Sequence, residues 1–110
     1  MYRISHPTKK LQGSIELTAS KSESNRALII QALCKEKFEI KNLASAQDTQ
    51  TLQRILTSEF QLPNSNFTHD VGAAGTTMRF LAAYFSTKTG THILTGSERM
   101  KKRPIGILVN

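Results

Sequence analysis

The sequence contains one cysteine and no long apolar run, and both absences exclude classes of protein. Cys34 has no second cysteine with which to form an intramolecular disulfide, which suits a reducing compartment. No stretch of about 18 apolar residues occurs, so no membrane-spanning helix is expected. The first residues, Met1 to Pro7, lack the apolar core of a signal peptide. We therefore expect a cytoplasmic protein with no membrane partner.

Tryptophan is also missing, and acidic residues are few. Five Phe and two Tyr supply the aromatic rings, so a core in this chain of 110 residues must be mostly aliphatic. Fifteen Lys and Arg against eight Asp and Glu give a formal net charge of +7. Such an excess attracts nucleic acid, acidic lipid or phosphorylated metabolites, and the charge alone does not choose among them.

The hydrophobic pattern predicts a mixed α/β (α+β) chain. Alternating or short apolar runs indicate four strands, at residues 11–17, 38–43, 67–71 and 91–95. Three helices are predicted between the strands. The first covers residues 23–35, and the third runs from the loop 72–76 to about Phe85. The second is capped by Asp48 and has Leu52, Ile55 and Leu56 on one face. Residues 62–66 and 87–90 are predicted turns. Residues 104–109 begin a further helix that nothing closes, so we expect residues 1–110 to be part of a longer protein.

The helix predicted at residues 23–35 is unusually apolar. Gln31 is the only strongly polar residue between Arg26 and Lys35, which indicates a helix buried on more than one side. Ser22 is the predicted N-cap.

Residues 20–26 combine hydroxyls and cations at the start of this helix. Ser20 and Ser22 add hydroxyl donors to the unpaired backbone N–H groups, and Lys21 adds a full charge. Arg26 lies four residues after Ser22, on the same helical face. The set suits a phosphate or carboxylate site. Charge spacing alone, however, favours an ordinary solvated helix cap with surface charges.

A second candidate is the small-residue loop at residues 72–79. Gly75 lets the backbone approach a ligand closely, and Thr76 and Thr77 place hydroxyls and N–H groups at another helix start. No Gly-Lys-Ser/Thr follows, so it is not a Walker loop. The alternative interpretation is a strand-to-helix turn with a Thr cap.

A third candidate is the basic segment at residues 99–104, with four cations in five positions. Such a run suits nucleic acid, a membrane surface or an anionic substrate, and a solvated loop is the simplest alternative. Pro104 disfavours helical geometry at Arg103 and holds that residue extended, which helps one guanidinium to point at a carboxylate.

Histidine and cysteine offer no metal site by their spacing. His6, His69 and His92 are isolated in sequence, so we predict structural or surface roles for them and no bound metal. Cys34 is predicted to pack on its helix.

These three clusters, in order, resemble the signature segments of the enolpyruvylshikimate-phosphate synthase family. Residues 20–27 match its Ser-Lys-Ser-x-Ser-Asn-Arg-Ala run, and residues 74–79 match its Ala-Gly-Thr-x-Met-Arg loop. Residues 94–105 match its Leu-Thr-Gly-x-x-Arg-Met-x-x-Arg-Pro-Ile segment. The resemblance departs at Ala73, where the family has Asn, and at Phe80, where many members have Pro or Leu. The family's protein is several times longer than this chain.

The resemblance implies two similar domains, each of three repeated βαβαββ units, with the active site in the cleft between them. It implies transfer of the enolpyruvyl group of phosphoenolpyruvate to the 5-hydroxyl of shikimate 3-phosphate by a monomeric enzyme, with no metal or organic cofactor. Lys21, Ser22 and Arg26 would hold shikimate 3-phosphate. Lys21, as a catalytic residue, would also contact phosphoenolpyruvate, together with Gly75, Thr76 and Arg103.

The resemblance also places the family's general acid and base mostly in the later part of the chain, so residues 1–110 alone are not expected to turn over substrate. The sequence leaves two other functions as alternatives. The sister enolpyruvyl transferase that acts on UDP-N-acetylglucosamine is disfavoured by Ser22, Ser24 and Arg26. A basic nucleic-acid-binding module is disfavoured because no aromatic residues cluster near the basic segments.

Overall fold

The computed structural model describes residues 1–10, 12–36, 38–58 and 67–109, which form a mixed α/β structure. Three longer helices pack against one another, and the third of them also packs against a two-stranded sheet. In chain order the elements are α1 (Lys21–Leu33), α2 (Gln47–Ser58), β1 (Phe67–Asp70), α3 (Gly75–Phe85), β2 (His92–Thr95), α4 (Glu98–Lys101) and α5 (Gly106–Val109).

The strands β1 and β2 pair in parallel, with Phe67 opposite His92 and Asp70 opposite Thr95. Parallel neighbours require a crossover connection, and α3 supplies it. The strands and helix predicted for this part of the chain are confirmed. Because the strands are parallel, the segments that follow Asp70 and Thr95 leave the sheet at the same edge.

The core forms where α1, α2 and α3 meet. The prediction that Leu52, Ile55 and Leu56 share one face of α2 is confirmed, since all three are buried. They pack in one cluster with buried residues of the other elements: Leu28, Val71, Leu81, Tyr84, Phe85 and Met100. As the composition predicts, most of this core is aliphatic.

The helix α1 begins two residues earlier than predicted. Ser20, rather than Ser22, is its N-cap, and the Ser20 hydroxyl accepts a hydrogen bond from the backbone N–H of Glu23 at 3.4 Å. Lys21 is already helical, so Ser22 lies too far into the first turn to cap it. The prediction of burial on more than one side is also wrong, because Ile30 and Leu33 are exposed.

Two predicted strands are absent. Residues 12–17 and 38–43 have no ladder partner among the described residues, and residue 11 lies outside them. Ile15 and Leu17 are more than four-fifths exposed, at 83% and 84%. An alternating pattern forms a strand only where a neighbouring strand pairs with its backbone. The turn predicted at residues 62–66 falls outside the described residues.

The described residues therefore contain one β-α-β unit, and no complete βαβαββ unit is present in them. Cys34 is another correction, because it is exposed at the C-cap of α1 instead of packed on the helix. In the described part of the chain, no helix combines the length and apolar character needed to cross a membrane.

Two histidines that are distant in sequence form an aromatic stack on the sheet. The parallel register brings His69 Nε2 within 3.3 Å of His92 Nδ1. The Phe85 ring stacks on both imidazoles, with centroid separations of 4.4 Å to His69 and 4.3 Å to His92. Burial and, second, the charge of His92 lower the pKa of His69. The two residues, which are isolated in the sequence, are therefore in contact in the structure.

The lowered pKa of His69 makes stability depend on pH. Its ordinary value is 6.5, so the unfolded chain binds the proton first as the pH falls. The full contribution of His69 to the free energy of unfolding is present above the pKa of the unfolded chain. It is lost as the pH falls from that pKa toward the lower pKa of His69 in the folded state. We expect His69→Phe to flatten this part of the curve of unfolding free energy against pH, measured by urea denaturation. An unchanged slope in the His69→Phe variant would contradict the assignment.

The buried face of α2 should dominate the stability of the fold. Leu52 is fully buried, so Leu52→Ala leaves a cavity and should lower the free energy of unfolding by about 2–5 kcal/mol. Urea denaturation measures the change. Gln53→Ala, at the neighbouring exposed position, should change stability by less than about 0.5 kcal/mol. Equal effects of the two substitutions would contradict the assignment of the core.

Candidate functional site

The loop after β1 places the start of α3 at the edge of the sheet. The Asp70 carboxylate accepts a hydrogen bond from the backbone N–H of Gly72 at 2.7 Å, and the Ala74 N–H donates to the carbonyl of Val71 at 3.1 Å. These bonds close a tight turn that ends at Gly75, the first residue of α3. Ala74, at the N-cap position, provides no capping side chain. The first-turn N–H groups of α3 are therefore not satisfied by a cap and suit an anionic ligand.

The segment after β2 is hydrogen-bonded to this loop. The Ser97 N–H donates to the carbonyl of Gly72 at 2.9 Å. The Ser97 hydroxyl in turn caps α4 by accepting from the Met100 N–H at 3.3 Å, and the Arg103 N–H donates to the carbonyl of Met100 at 3.0 Å. The chain thus folds back so that Arg103 returns to the start of α3.

Arg103 and Gly75 are in direct contact. A Cβ atom added at Gly75 would overlap Nη1 of the Arg103 guanidinium. A small cavity of about 110 Å³ opens beside the pair, lined by Ala73, Ser97, Arg99, Met100 and Arg103. The structure therefore joins two of the residues that the sequence singled out in separate clusters.

Lys21 is linked to the start of α3 through Asp48 on α2. Its Nζ lies 3.1 Å from Oδ2 of Asp48, and the lysine side chain is half exposed. The backbone carbonyl of Asp48 accepts a hydrogen bond from the buried Thr77 hydroxyl at 3.2 Å. Because Thr77 lies two residues after Gly75, Asp48 connects Lys21 to the start of α3.

The other predicted site residues are less constrained. Ser22 and Arg26 are exposed on α1, and within the described residues neither has a hydrogen-bond or ion-pair partner. Thr76 is exposed at the second position of α3.

A larger open cavity of about 280 Å³ lies between the first turns of α2 and the loop after β1. Asp48 and Arg54 line it from the helix, and Asp70, Gly72 and Ala73 line it from the loop. Arg54 donates from Nη2 to the Asp70 carbonyl at 3.5 Å. The cavity has charged groups of both signs on its walls.

The cations of the basic segment at residues 99–104 differ in their contacts. Lys101 forms an ion pair with Glu98 at 2.8 Å, and this hydrogen bond raises the pKa of Lys101. Arg103 instead lies against Gly75. Among the described residues, no group of three or more His, Cys, Asp or Glu side chains is arranged to hold a metal ion.

The sequence missed the contributions of Asp48 and Ser97 to this site. Asp48 was predicted as a helix cap, but it lies inside the first turn of α2, and a separation of 27 residues from Lys21 gave no spacing signal. Ser97 could have been found, because a serine followed directly by Glu98 is a typical helix start.

These features define an α/β protein in which two adjacent loops and a helix start present backbone N–H groups and cations. The family model described as EPSP synthase (3-phosphoshikimate 1-carboxyvinyltransferase) matches residues 5–110. The chain belongs to this family.

Curated relatives named 3-phosphoshikimate 1-carboxyvinyltransferase are similar to the chain. The protein from Bacteroides fragilis strain YCH46 is 49% identical over 109 residues, which cover 99% of this chain and 25% of the relative. The protein from Proteus mirabilis is 39% identical over 124 residues, covering 94% of this chain and 29% of the relative. The chain thus spans between a quarter and a third of the length of these relatives. No solved structure matches it.

The contact between Gly75 and Arg103 can be tested directly. Gly75→Ala should push the guanidinium away from the loop, because the flexible arginine can move whereas the helix cannot. We expect the Arg103 Nε–Hε NMR signal to shift while the melting temperature changes by no more than about 4 °C. Gly13→Ala is the control, since a Cβ there meets nothing within 4 Å. An unchanged Arg103 signal in Gly75→Ala would contradict the contact.

Proposed function

We propose that this chain is the N-terminal part of a 3-phosphoshikimate 1-carboxyvinyltransferase. The enzyme transfers the enolpyruvyl group of phosphoenolpyruvate to the 5-hydroxyl of shikimate 3-phosphate, through a tetrahedral intermediate and with release of phosphate. The observation that carries the proposal is the contact of Arg103 with Gly75, at a helix start that Asp48 also connects to Lys21. Membership of the family and the names of the relatives support the same reaction.

Phosphoenolpyruvate would bind at the start of α3. Its carboxylate and phosphate are anions, and the first-turn N–H groups at Gly75 and Thr76 together with the Arg103 guanidinium offer complementary donors. Gly75 keeps the backbone accessible because it has no side chain. Lys21 would contact phosphoenolpyruvate from the start of α1 and would stabilise negative charge that develops during the transfer.

Shikimate 3-phosphate would bind along the start of α1. Lys21 supplies a full charge there, the Ser22 hydroxyl supplies a hydrogen bond, and Arg26 lies one turn further along the exposed face. Ser22 and Arg26 have no partner in the described residues, so a bound phosphate would not have to displace one.

In this proposal the intact protein has two similar domains of repeated βαβαββ units and works in the cytoplasm as a monomer without cofactor. The β1-α3-β2 unit supports such a fold in part. The general acid and base would come from the later part of the longer chain. No observation favours the UDP-N-acetylglucosamine reaction or nucleic-acid binding.

Substitution of Arg103 in a full-length protein that contains this segment tests the proposal. The parent should form enolpyruvylshikimate 3-phosphate from the two substrates. Arg103→Ala should lower kcat/KM for phosphoenolpyruvate about 10- to 100-fold, because a charge-assisted hydrogen bond is lost. A coupled assay of phosphate release measures both.

Lys102→Ala is the matched control, since this exposed neighbour carries the same charge change without the contact to Gly75. It should change kcat/KM less than about twofold. The isolated chain of 110 residues should show no turnover. An inactive full-length parent, or equal losses in the two variants, would contradict the proposal.

A further inference from the structure

Asp48 holds a position that no predicted role explains. It lies in the first turn of α2, four residues before Leu52, and therefore at the N-terminal end of the buried face of that helix. Its carboxylate faces α1, where it accepts a hydrogen bond from Lys21 at 3.1 Å. Its backbone carbonyl faces α3, where it accepts from the Thr77 hydroxyl. One residue thus contacts the starts of the other two long helices.

The residues next to Asp48 in α2 and across from it in α3 are buried. Thr77 is fully buried, and the next residue, Thr49, is 1% exposed. Leu52 anchors the following turn in the core. The Asp48 carboxylate is therefore attached to a rigid part of the backbone, whereas Lys21, which it contacts, is a flexible side chain with several rotatable bonds.

The ion pair contributes little to stability, because the Lys21 side chain is half exposed and such pairs are weak in water. Its effect is geometric. Of the positions open to the Lys21 ammonium, the pair selects one that is tied through Asp48 and Thr77 to the turn of α3 that begins at Gly75. Because Gly75 contacts Arg103, both Arg103 and Lys21 are positioned relative to the start of α3.

We propose that Asp48 is a positioning residue that orients Lys21 toward the anion site formed by Gly75 and Arg103. This inference rests on the proposed function, because phosphoenolpyruvate is the ligand for which Lys21 is held. Asp48 acts only through Lys21 and touches no reacting atom. A carboxylate beside a cation also weakens the attraction of that cation for anions, and this competing effect would make removal of the Asp48 charge raise the affinity for phosphoenolpyruvate.

The test uses the full-length protein and steady-state kinetics with varied phosphoenolpyruvate at saturating shikimate 3-phosphate. Asp48→Asn should lower kcat/KM for phosphoenolpyruvate about three- to fivefold, the range that a half-exposed ion pair supports. Asp48→Glu keeps the charge and should restore most of the loss, because the flexible lysine can follow the longer side chain. In a Lys21→Ala background, Asp48→Asn should cause no further loss.

Glu23→Gln is the matched control. Glu23 is also a carboxylate in the first turn of a helix, but it has no ion pair among the described residues, so its removal tests the helix-dipole effect alone. It should leave kcat/KM unchanged. The melting temperature of each variant separates positioning from loss of fold.

Several results would overturn the inference. One is an equal or higher kcat/KM for phosphoenolpyruvate when Asp48→Asn is introduced into an active parent. Another is an equal loss from Asp48→Asn with and without Lys21, and a third is failure of Asp48→Glu to recover activity. A parent without any turnover would instead refute the proposed function, and the inference would fall with it.

Discussion

The parallel pairing of β1 with β2 determines which loops of the chain meet. Its hydrogen bonds continue past the strands, from the Val71 N–H to the Thr95 carbonyl and from the Ser97 N–H to the Gly72 carbonyl, each at 2.9 Å. The turn before α3 and the segment that carries Arg103 are therefore joined by main-chain bonds, which do not depend on the identity of any side chain other than proline. The candidate site depends on this junction.

The helix α2 links the junction to α1. Its apolar face is buried in the core, and Asp48 in its first turn pairs with Lys21. The helix α2 therefore both contributes buried apolar residues to the core and positions Asp48 beside Lys21. A change that shifts Leu52 is expected to displace Asp48 as well, because both lie on the same stripe of a rigid helix.

Local signals predicted the parts of the fold that are stabilised locally. The spacing of Leu52 and Ile55 revealed the buried face of α2, and the small residues before Gly75 revealed a strand-to-helix turn. Residues 12–17 have an equally clear alternation but no strand beside them in the described structure. The contact of Lys21 with Asp48 spans 27 residues and depends on helix packing, so no sequence periodicity encodes it.

Gly96 limits how this site can change. A Cβ atom there would lie 2.6 Å from the Gly72 carbonyl oxygen, and the Met100 side chain blocks it from another side. The obstacle is backbone, which cannot swing aside as the guanidinium beside Gly75 can. A side chain at position 96 would therefore force the two loops apart, so their present spacing requires glycine there. Ala73 and Arg99 also line the small cavity but are exposed, so substitutions there change its lining without pressing on the junction.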